Sequence, residues 1–242
     1  MKLKIAIVYN SPPKLCEEVK KYPDIYFPII AGEAVNHLRS DLPNIQYDNV
    51  GDNISFLNPY FNETTALYWI GTHLKELGNP DYIGLHHYRR IFDLEKDVLP
   101  FLNPNVMILN HERLALNMVD FLDLCHDSGQ TFAQTAKKLF RVDISFIDQC
   151  VKDFCNDKWY FSRNLFVIPV SIMPILIDFT RQAILEMAPH ANYSAYGYIP
   201  ARHSAFIMER LTGLFFYVLM RTSSLTVHSV MFRYVNPEEN NE

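Results

Sequence analysis

Residues 81–92 hold the side chains of this chain that are best suited to act on a charged ligand. A short apolar stretch, residues 82–85, is followed by two histidines, a tyrosine and two adjacent arginines. Open α/β sheets bind ligands where their strands reach the carboxyl end, and guanidinium groups suit phosphate and carboxylate oxygens. The segment therefore predicts either an anion site at a strand end or a surface loop whose arginines pair with Asp93 and Glu95.

A polar loop and the start of the next predicted helix form a second cluster. Its amide, hydroxyl and carboxylate groups would suit the hydroxyls of a sugar or ribose: Asp52, Asn53, Ser55, Asn58, Asn62 and Glu63. Asp and Asn side chains also cap their own backbone in turns, which would explain Asp52 and Asn53 without a ligand. Both interpretations are open from the sequence.

A third cluster lies in the last predicted helix. Arg202, Phe206 and Glu209 are three or four positions apart and therefore share one helical face. Glu209 would be either a general base at the mouth of a site or, with Arg210, an ion pair on a surface helix.

Motifs for metals and common cofactors are absent from the sequence. His86 and His87 would point to opposite faces of an extended chain, so at most one of them could serve a given site. The sequence contains no H-E-x-x-H, G-x-G-x-x-G, P-loop, G-x-S-x-G or D-x-D pattern. We expect no required cofactor and no metal ligands, with a divalent metal as the open alternative.

The composition indicates a globular protein without a charge-driven partner. The 242 residues are 49% hydrophobic and 14% aromatic, which allows a sizeable core, and the net charge of −5 argues against nucleic acid as a partner. The four cysteines form no C-x-x-C pair, as is typical of a reduced cytosolic protein. No signal peptide is evident, and no apolar run reaches the ~20 residues of a spanning helix. We expect a cytoplasmic protein, either free or peripheral at the inner face of the membrane.

Apolar periodicity places these clusters on alternating strands and helices. Strands are predicted at residues 4–9, 25–30, 81–85, 106–109 and 163–169, and helices at 62–77, 117–124, 131–139, 144–154, 171–187 and 202–220. Asn62 is predicted to cap its helix, and residues 188–200 form a Tyr-rich loop. We expect an α/β fold in a single domain, residues 1–235, followed by a flexible acidic tail, residues 236–242.

Several of these segments resemble one known family. They read GDNIS at 51–55, NPxFxExTAxYW at 58–69, DYIGLxHYRR at 81–90, RNLFV at 163–167 and RxxAFxxERL at 202–211. Over residues 5–220 the chain resembles the bacterial capsular and exopolysaccharide glycosyltransferases that were first catalogued as a domain of unknown function. Ala205 and Leu165 depart from the glycine and methionine of the family pattern.

The resemblance implies a GT-A-like fold, with a Rossmann-type, mostly parallel central sheet flanked by helices and a helix-rich middle and C-terminal part. It also implies transfer of a sugar, in some relatives galactofuranose with inversion, from a nucleotide-sugar donor, UDP-linked, to a glycan or lipid-linked glycan acceptor. The setting would be synthesis of capsule, exopolysaccharide or lipopolysaccharide. A nucleotide-sugar hydrolase and a non-catalytic glycan-binding or assembly module are the alternatives.

Site roles follow from the resemblance. Glu209 is the predicted base with His203 second, and Asn164 and Arg202 are assigned to the acceptor. Seven residues are assigned to the donor: Asp52, Asn53, Asn58, Glu63, His87, Arg89 and Arg90. GT-A folds usually hold a metal with a D-x-D motif after the central strand, where this chain has two arginines. We therefore hypothesise that Arg89 or Arg90 neutralises the leaving diphosphate.

Overall fold

The β-branched and aromatic stretches assemble into one sheet. The structure, a computed structural model, describes residues 1–113, 128–140, 143–156, 159–188 and 203–235. Its strands are β1 (Leu3–Tyr9), β2 (Tyr26–Ile30), β3 (Gln46–Tyr47), β4 (Tyr82–His87), β5 (Arg90–Ile91), β6 (Val106–Arg113), β7 (Trp159–Pro169), β8 (Thr226–Val230) and β9 (Arg233–Tyr234). Its α-helices are α1 (Glu17–Lys21), α2 (Glu33–Asn36), α3 (Asn58–Phe61), α4 (Thr64–Thr72), α5 (Ser128–Leu139), α6 (Ile144–Asn156), α7 (Met173–Met187) and α8 (His203–Thr222).

The sheet has the order β3-β2-β1-β4-β7-β6-β8, with β5 and β9 attached beside β4. Neighbouring strands along this path are parallel except at β7, which is antiparallel to both β4 and β6. The predicted mostly parallel α/β sheet is confirmed. Because β1 and β4 are parallel neighbours, Val8 lies opposite His87 and their carboxyl ends open on the same edge.

Both faces of the sheet are covered. Alternate residues of β1 reach opposite faces. Ala6 and Val8 lie in a large apolar cluster with residues of α4 to α8. Ile5 and Ile7 lie in a smaller cluster with Val19 of α1. Burial on both sides explains why the central strands are apolar throughout.

The helix predicted at 62–77 is shorter than expected, and its predicted cap is wrong. Asn62 has φ 46° and ψ −130°, outside the helix, and the first helical residue of α4 is Thr64. The chain needs a sharp bend between α3 and α4, and Asn tolerates the left-handed φ that this bend requires. The helix ends at Thr72, where His73 Nδ1 donates to the Trp69 carbonyl at 2.9 Å.

Most other element predictions hold, with extensions. Strand β4 continues to His87, so both histidines belong to the strand. Four short strands, β3, β5, β8 and β9, were not predicted, because their pairing depends on distant partners. The helix predicted at 117–124, residues 189–200 of the Tyr-rich loop and the tail at 236–242 lie outside the described residues. None of the described helices combines the length and the apolar character that crossing a membrane requires.

Candidate functional site

Two adjoining cavities open at the carboxyl edge of β1 and β4. The first has a volume of about 310 Å³ and the second about 220 Å³. Both are lined by Asn10, Asn62, Glu63, His87 and Tyr88. Asn10 directly follows β1, and His87 and Tyr88 mark the end of β4. This is the edge where parallel sheets expose loop side chains to a ligand.

The first cavity is rich in neutral amides. Its wall carries Asn36 and Asn58 in addition to the shared Asn10 and Asn62. Asn58 Nδ2 donates to the Asn62 carbonyl at 2.8 Å and to Thr65 Oγ1 at 3.2 Å, which fixes its orientation. Side-chain amides offer both donors and acceptors, so this wall suits an uncharged group with the complementary pattern.

Asp48 supports the first cavity through Thr65, which binds Asn58 of the lining, and the sequence analysis did not single it out. Its fully buried carboxylate accepts four hydrogen bonds, from the backbone N–H groups of Gly32 (2.8 Å) and Glu33 (3.1 Å) and the hydroxyls of Ser55 (2.5 Å) and Thr65 (2.6 Å). These bonds tie the loop after β2 to α4. In sequence, Asp48 is one polar loop residue among several, and no local signal distinguishes it.

The second cavity is cationic. It adds Arg89, Arg90 and Arg163 to the shared lining. Arg163 is paired with Glu112, its Nε donating to Oε2 at 2.9 Å. Arg89 is exposed and its guanidinium lies 4.9 Å from the ring centre of Tyr88.

The charged-loop alternative for the double arginine is wrong. Among the described residues, neither arginine forms an ion pair with Asp93 or Glu95. Asp93 accepts the backbone N–H of Lys96 at 3.0 Å, and Glu95 binds Lys21 at 3.0 Å. Arg90 Nε is buried and has no hydrogen-bond partner among the residues that the structure describes.

Glu209 lines the second cavity together with the arginines. It is nearly buried, as is Arg210, so the surface-helix interpretation of this pair is wrong. Oε1 accepts the Arg163 backbone N–H at 2.9 Å and lies 2.5 Å from Arg210 Nη1 in an ion pair. Burial by itself would raise the pKa of the Glu209 carboxyl, but Arg210 and Arg163 outweigh it and hold that pKa below its ordinary value. The carboxylate is therefore charged at neutral pH.

A bend in β7 connects the walls of the second cavity. Arg163 and Asn164 both have left-handed backbone, with φ of 65° and 49°. The Arg163 carbonyl accepts His87 Nε2–H at 2.6 Å, and Asn164 Nδ2 donates to Glu63 Oε1 at 2.9 Å. Consecutive left-handed non-glycine residues are costly and persist where surrounding contacts enforce them, often at functional sites. Here they bring β4, α4 and α8 to one point.

Three other predicted site residues, Asp52, Asn53 and His203, lie apart from the two cavities. Asp52 accepts a hydrogen bond from Tyr68 Oη at 3.2 Å. Asn53 caps its own turn, since its Nδ2 donates to the Gly51 carbonyl at 2.8 Å. This is the turn-capping role that the sequence left open as the alternative to ligand binding. His203 starts α8 and lines neither cavity. Arg202 lies outside the described residues.

Thus six of the residues that were assigned a role line the cavities, and Asn164 supports one of them. The six are Asn58, Glu63, His87, Arg89, Arg90 and Glu209. The sequence analysis did not select Asn10 and Arg163 as site residues, and it placed Tyr88 in the first cluster without a role. Asn10 could have been found, since it is the first polar residue after an obvious buried strand. Arg163 could not, because its place depends on the bend in β7.

The described residues of the cavity lining offer no cluster of ligands for the metal that GT-A folds commonly hold. Within the described residues, no three His, Cys, Asp or Glu side chains are grouped so that they could bind a metal ion. Both carboxylates of the lining already have partners. Glu63 accepts a hydrogen bond from Asn164, and Glu209 forms an ion pair with Arg210.

The sheet order, the antiparallel strand β7 in its main path and the cavities at its carboxyl edge define a GT-A-like α/β domain. The chain belongs to the family described as a domain of unknown function, DUF4422, whose model matches residues 8–219. The resemblance of the motifs to a family first catalogued in this way is confirmed.

One solved structure shows the same fold. It is described as the apo structure of WbbM, a bifunctional glycosyltransferase, with a TM-score of 0.73 and 20% sequence identity. The alignment covers 98% of this chain and 46% of that chain, so this chain spans less than half the length of WbbM. No curated protein matches the sequence.

Proposed function

We propose that this protein is a glycosyltransferase that moves a sugar from a nucleotide-sugar donor to a glycan acceptor. The observation that carries the proposal is the division of the two cavities. Neutral amides predominate in the first. In the second, Arg89 and Arg90, which have no carboxylate partner among the described residues, share the lining with the buried, charged Glu209. A nucleoside diphosphate sugar has the same division between an uncharged base and ribose and an anionic diphosphate. The fold shared with a solved glycosyltransferase supports this proposal.

In the proposed complex, the nucleoside occupies the first cavity and the diphosphate lies against Arg89 and Arg90. Guanidinium groups match phosphate oxygens in geometry and in charge. As the sugar leaves, negative charge builds on the diphosphate, and a fixed cation at that point stabilises the transition state. The arginines would thus supply the neutralisation that a metal supplies in other enzymes.

Glu209 is the proposed base of an inverting transfer. The acceptor hydroxyl oxygen attacks the anomeric carbon, and the bond from that carbon to the diphosphate oxygen breaks. The hydroxyl proton passes to Glu209, and the electron pair leaves with the nucleoside diphosphate. A carboxylate held ionised by Arg210 and Arg163 is ready to accept the proton as the attack proceeds.

The donor and the biological setting are taken from the resemblance. They are a UDP-linked hexose, with UDP-galactofuranose as the first candidate, and a glycan or lipid-linked glycan of a bacterial surface polysaccharide. The cytoplasmic location, free or peripheral at the membrane, stays a prediction.

The test is incubation of the purified protein with a panel of UDP-sugars, with and without glycan acceptors, and with and without excess chelator. We expect sugar transfer that requires an acceptor and is unchanged by the chelator. Equal release of UDP without acceptor would favour a nucleotide-sugar hydrolase. Absence of any nucleotide binding by calorimetry would favour a glycan-binding module, and strict dependence on added metal would contradict the role given to the arginines.

A further inference from the structure

Arg90 lies beside two aromatic rings from the carboxyl-terminal end of the described chain. Its guanidinium carbon lies 5.5 Å from the ring centre of Phe232 and 5.6 Å from that of Tyr234. The two rings also contact each other edge to face, with centres 5.1 Å apart. These distances lie within the range of cation–π attraction.

The segment that carries these rings, residues 232–235, is anchored beside the double arginine; we refer to it as the aromatic strap. Its strand β9 pairs with β5, placing Tyr234 opposite Arg90. The Val235 N–H donates to the Arg89 carbonyl at 3.1 Å, and the Phe232 N–H donates to Asn110 Oδ1 at 3.2 Å. The strap thus pairs with the backbone at Arg90 and brings two rings within reach of its guanidinium.

Aromatic support has a different electrostatic consequence from carboxylate support. Arg163, on the same cavity, is bound by Glu112, and Arg210 behind it is bound by Glu209. A carboxylate partner cancels much of the positive charge and occupies N–H donors. Ring faces attract the cation without accepting its in-plane N–H groups, so both the charge and the donors are kept for a ligand.

Arg90 Nε supplies the second observation. This atom is buried and has no hydrogen-bond partner within the described residues, while the side chain lines the second cavity. A buried N–H without an acceptor is costly, and a ligand oxygen in the cavity would remove that cost. Arg89, by contrast, is exposed and its guanidinium lies over the Tyr88 ring.

We propose that Arg90 is the principal ligand for the diphosphate oxygens, and that Phe232 and Tyr234 are positioning residues that hold its guanidinium flat, charged and open toward the cavity. This inference rests on the proposed function and refines it, because the sequence motif by itself left Arg89 and Arg90 equivalent. It also assigns a role to a strap outside the matched family region, which ends at residue 219.

The test compares Phe232→Leu and Tyr234→Leu with Tyr234→Phe, which keeps the ring. Calorimetry measures the binding of three probes: UDP, inorganic pyrophosphate and uridine. We expect the two leucine variants to weaken UDP and pyrophosphate about 2- to 30-fold, the range that corresponds to one cation–π contact. Uridine binding should be unchanged, and Tyr234→Phe should bind all three probes as the wild type does.

Phe101→Leu is the matched control. Its ring stacks on His228 and contacts no arginine in the described structure, so probe affinities should match those of the wild type. If a strap variant fails to fold, as judged by thermal unfolding, Arg90→Gln and Arg89→Gln replace it. Only the Arg90 variant should lose most of the pyrophosphate affinity.

Three outcomes would overturn the inference: unchanged binding of UDP and pyrophosphate in the leucine variants, equal weakening of uridine, or a larger loss in Arg89→Gln. A wild-type protein that binds neither UDP nor pyrophosphate would also overturn it. The two proposals can fail separately. If pyrophosphate binds with the expected pattern but no sugar is transferred, the Arg90 assignment is supported and the proposed function is contradicted. If sugar is transferred but the leucine variants bind UDP and pyrophosphate as the wild type does, only the Arg90 assignment is contradicted.

Discussion

At the scale of residues, Glu209 combines burial with a close cationic environment. Its Oε1 atom is held by the Arg163 backbone and by Arg210, so the carboxylate cannot rotate freely. The same contacts keep the pKa of the carboxyl low despite burial. The residue is thus a structural ion pair and, in our proposal, also the group that accepts the acceptor's proton.

Glu209→Gln should abolish sugar transfer while preserving UDP binding. The amide keeps the size of the side chain but cannot accept the proton, and we expect a fall in rate of about 10²- to 10⁴-fold. Rates and UDP affinity are measured on the same preparation. Glu186→Gln, in an exposed pair with Lys138, is the control and should keep wild-type activity. Substantial transfer by Glu209→Gln would remove the residue from the role of base.

Asn164 offers a second test at this scale, because its side chain and its backbone can be separated. Asn164→Gly deletes the hydrogen bond to Glu63 and tolerates the left-handed φ of 49°. Asn164→Ala deletes the same bond and adds a backbone penalty of about 1 kcal/mol. Both variants should lose a similar share of kcat/KM, because both lack the hydrogen bond to Glu63. In urea, the alanine variant should be less stable than the glycine variant. If activity instead follows stability, Asn164 does not act through Glu63.

At the scale of elements, the loop after β2 depends on a close backbone approach. Gly32 has φ 71°, and a Cβ at this position would lie 2.4 Å from Asn58 Oδ1. The contact explains why the chain turns here against the amide wall of the first cavity. Any side chain would push Asn58 out of its place.

Gly32→Ala should therefore destabilise the protein by about 1 to 3 kcal/mol and weaken UDP binding. Gly78→Ala is the matched control, since Gly78 also has a left-handed φ of 80°, but its Cβ would meet only the flexible end of Lys2. The control should lose stability with unchanged UDP affinity. Chemical denaturation and calorimetry give the two quantities. Equal affinities in both variants would show that Gly32 serves only the fold.

At the scale of the whole molecule, one core histidine makes folding stability depend on pH. His86 is fully buried on β4, and neither ring nitrogen has a hydrogen-bond partner among the described residues. Burial, with a smaller contribution from His87, lowers its pKa from 6.5 to about 3. Below pH 6.5 the imidazole of His86 is therefore protonated in the unfolded chain, whereas in the folded protein it stays neutral until about pH 3.

It follows that this contribution to stability is complete above pH 6.5 and is lost as the pH falls toward 3. The slope due to His86 is at most about 1.4 kcal/mol per pH unit. His86→Phe should remove it, so the difference in unfolding free energy between the variant and the wild type should change across this window. Urea unfolding at a series of pH values measures the difference. A difference independent of pH would show that His86 is protonated or hydrogen-bonded in the folded protein.

Local patterns were sufficient for the central strands and most helices. The strand at residues 4–9, the helix at 171–187 and the placement of His87 at a strand end follow from hydrophobic periodicity, which reflects burial directly. The same patterns failed for β5, β8 and β9. These strands are only two to five residues long. β8 and β9 pair with strands that are distant in sequence, and β5 lies between its neighbour β4 and the distant β9.

The chemical types at the site could be read from the chain: two arginines after a strand, an amide-rich loop and a carboxylate on the last helix. Tertiary structure decided which of them meet. It placed Asp52 and Asn53 away from the cavities, buried the Glu209–Arg210 pair that could have lain on the surface, and brought in Arg163 through the bend of β7. It also distinguished Arg90 from Arg89, because the rings around Arg90 come from residues more than a hundred positions later. Residue type and spacing follow from local sequence, whereas the partner that keeps or cancels a charge depends on contacts between distant segments.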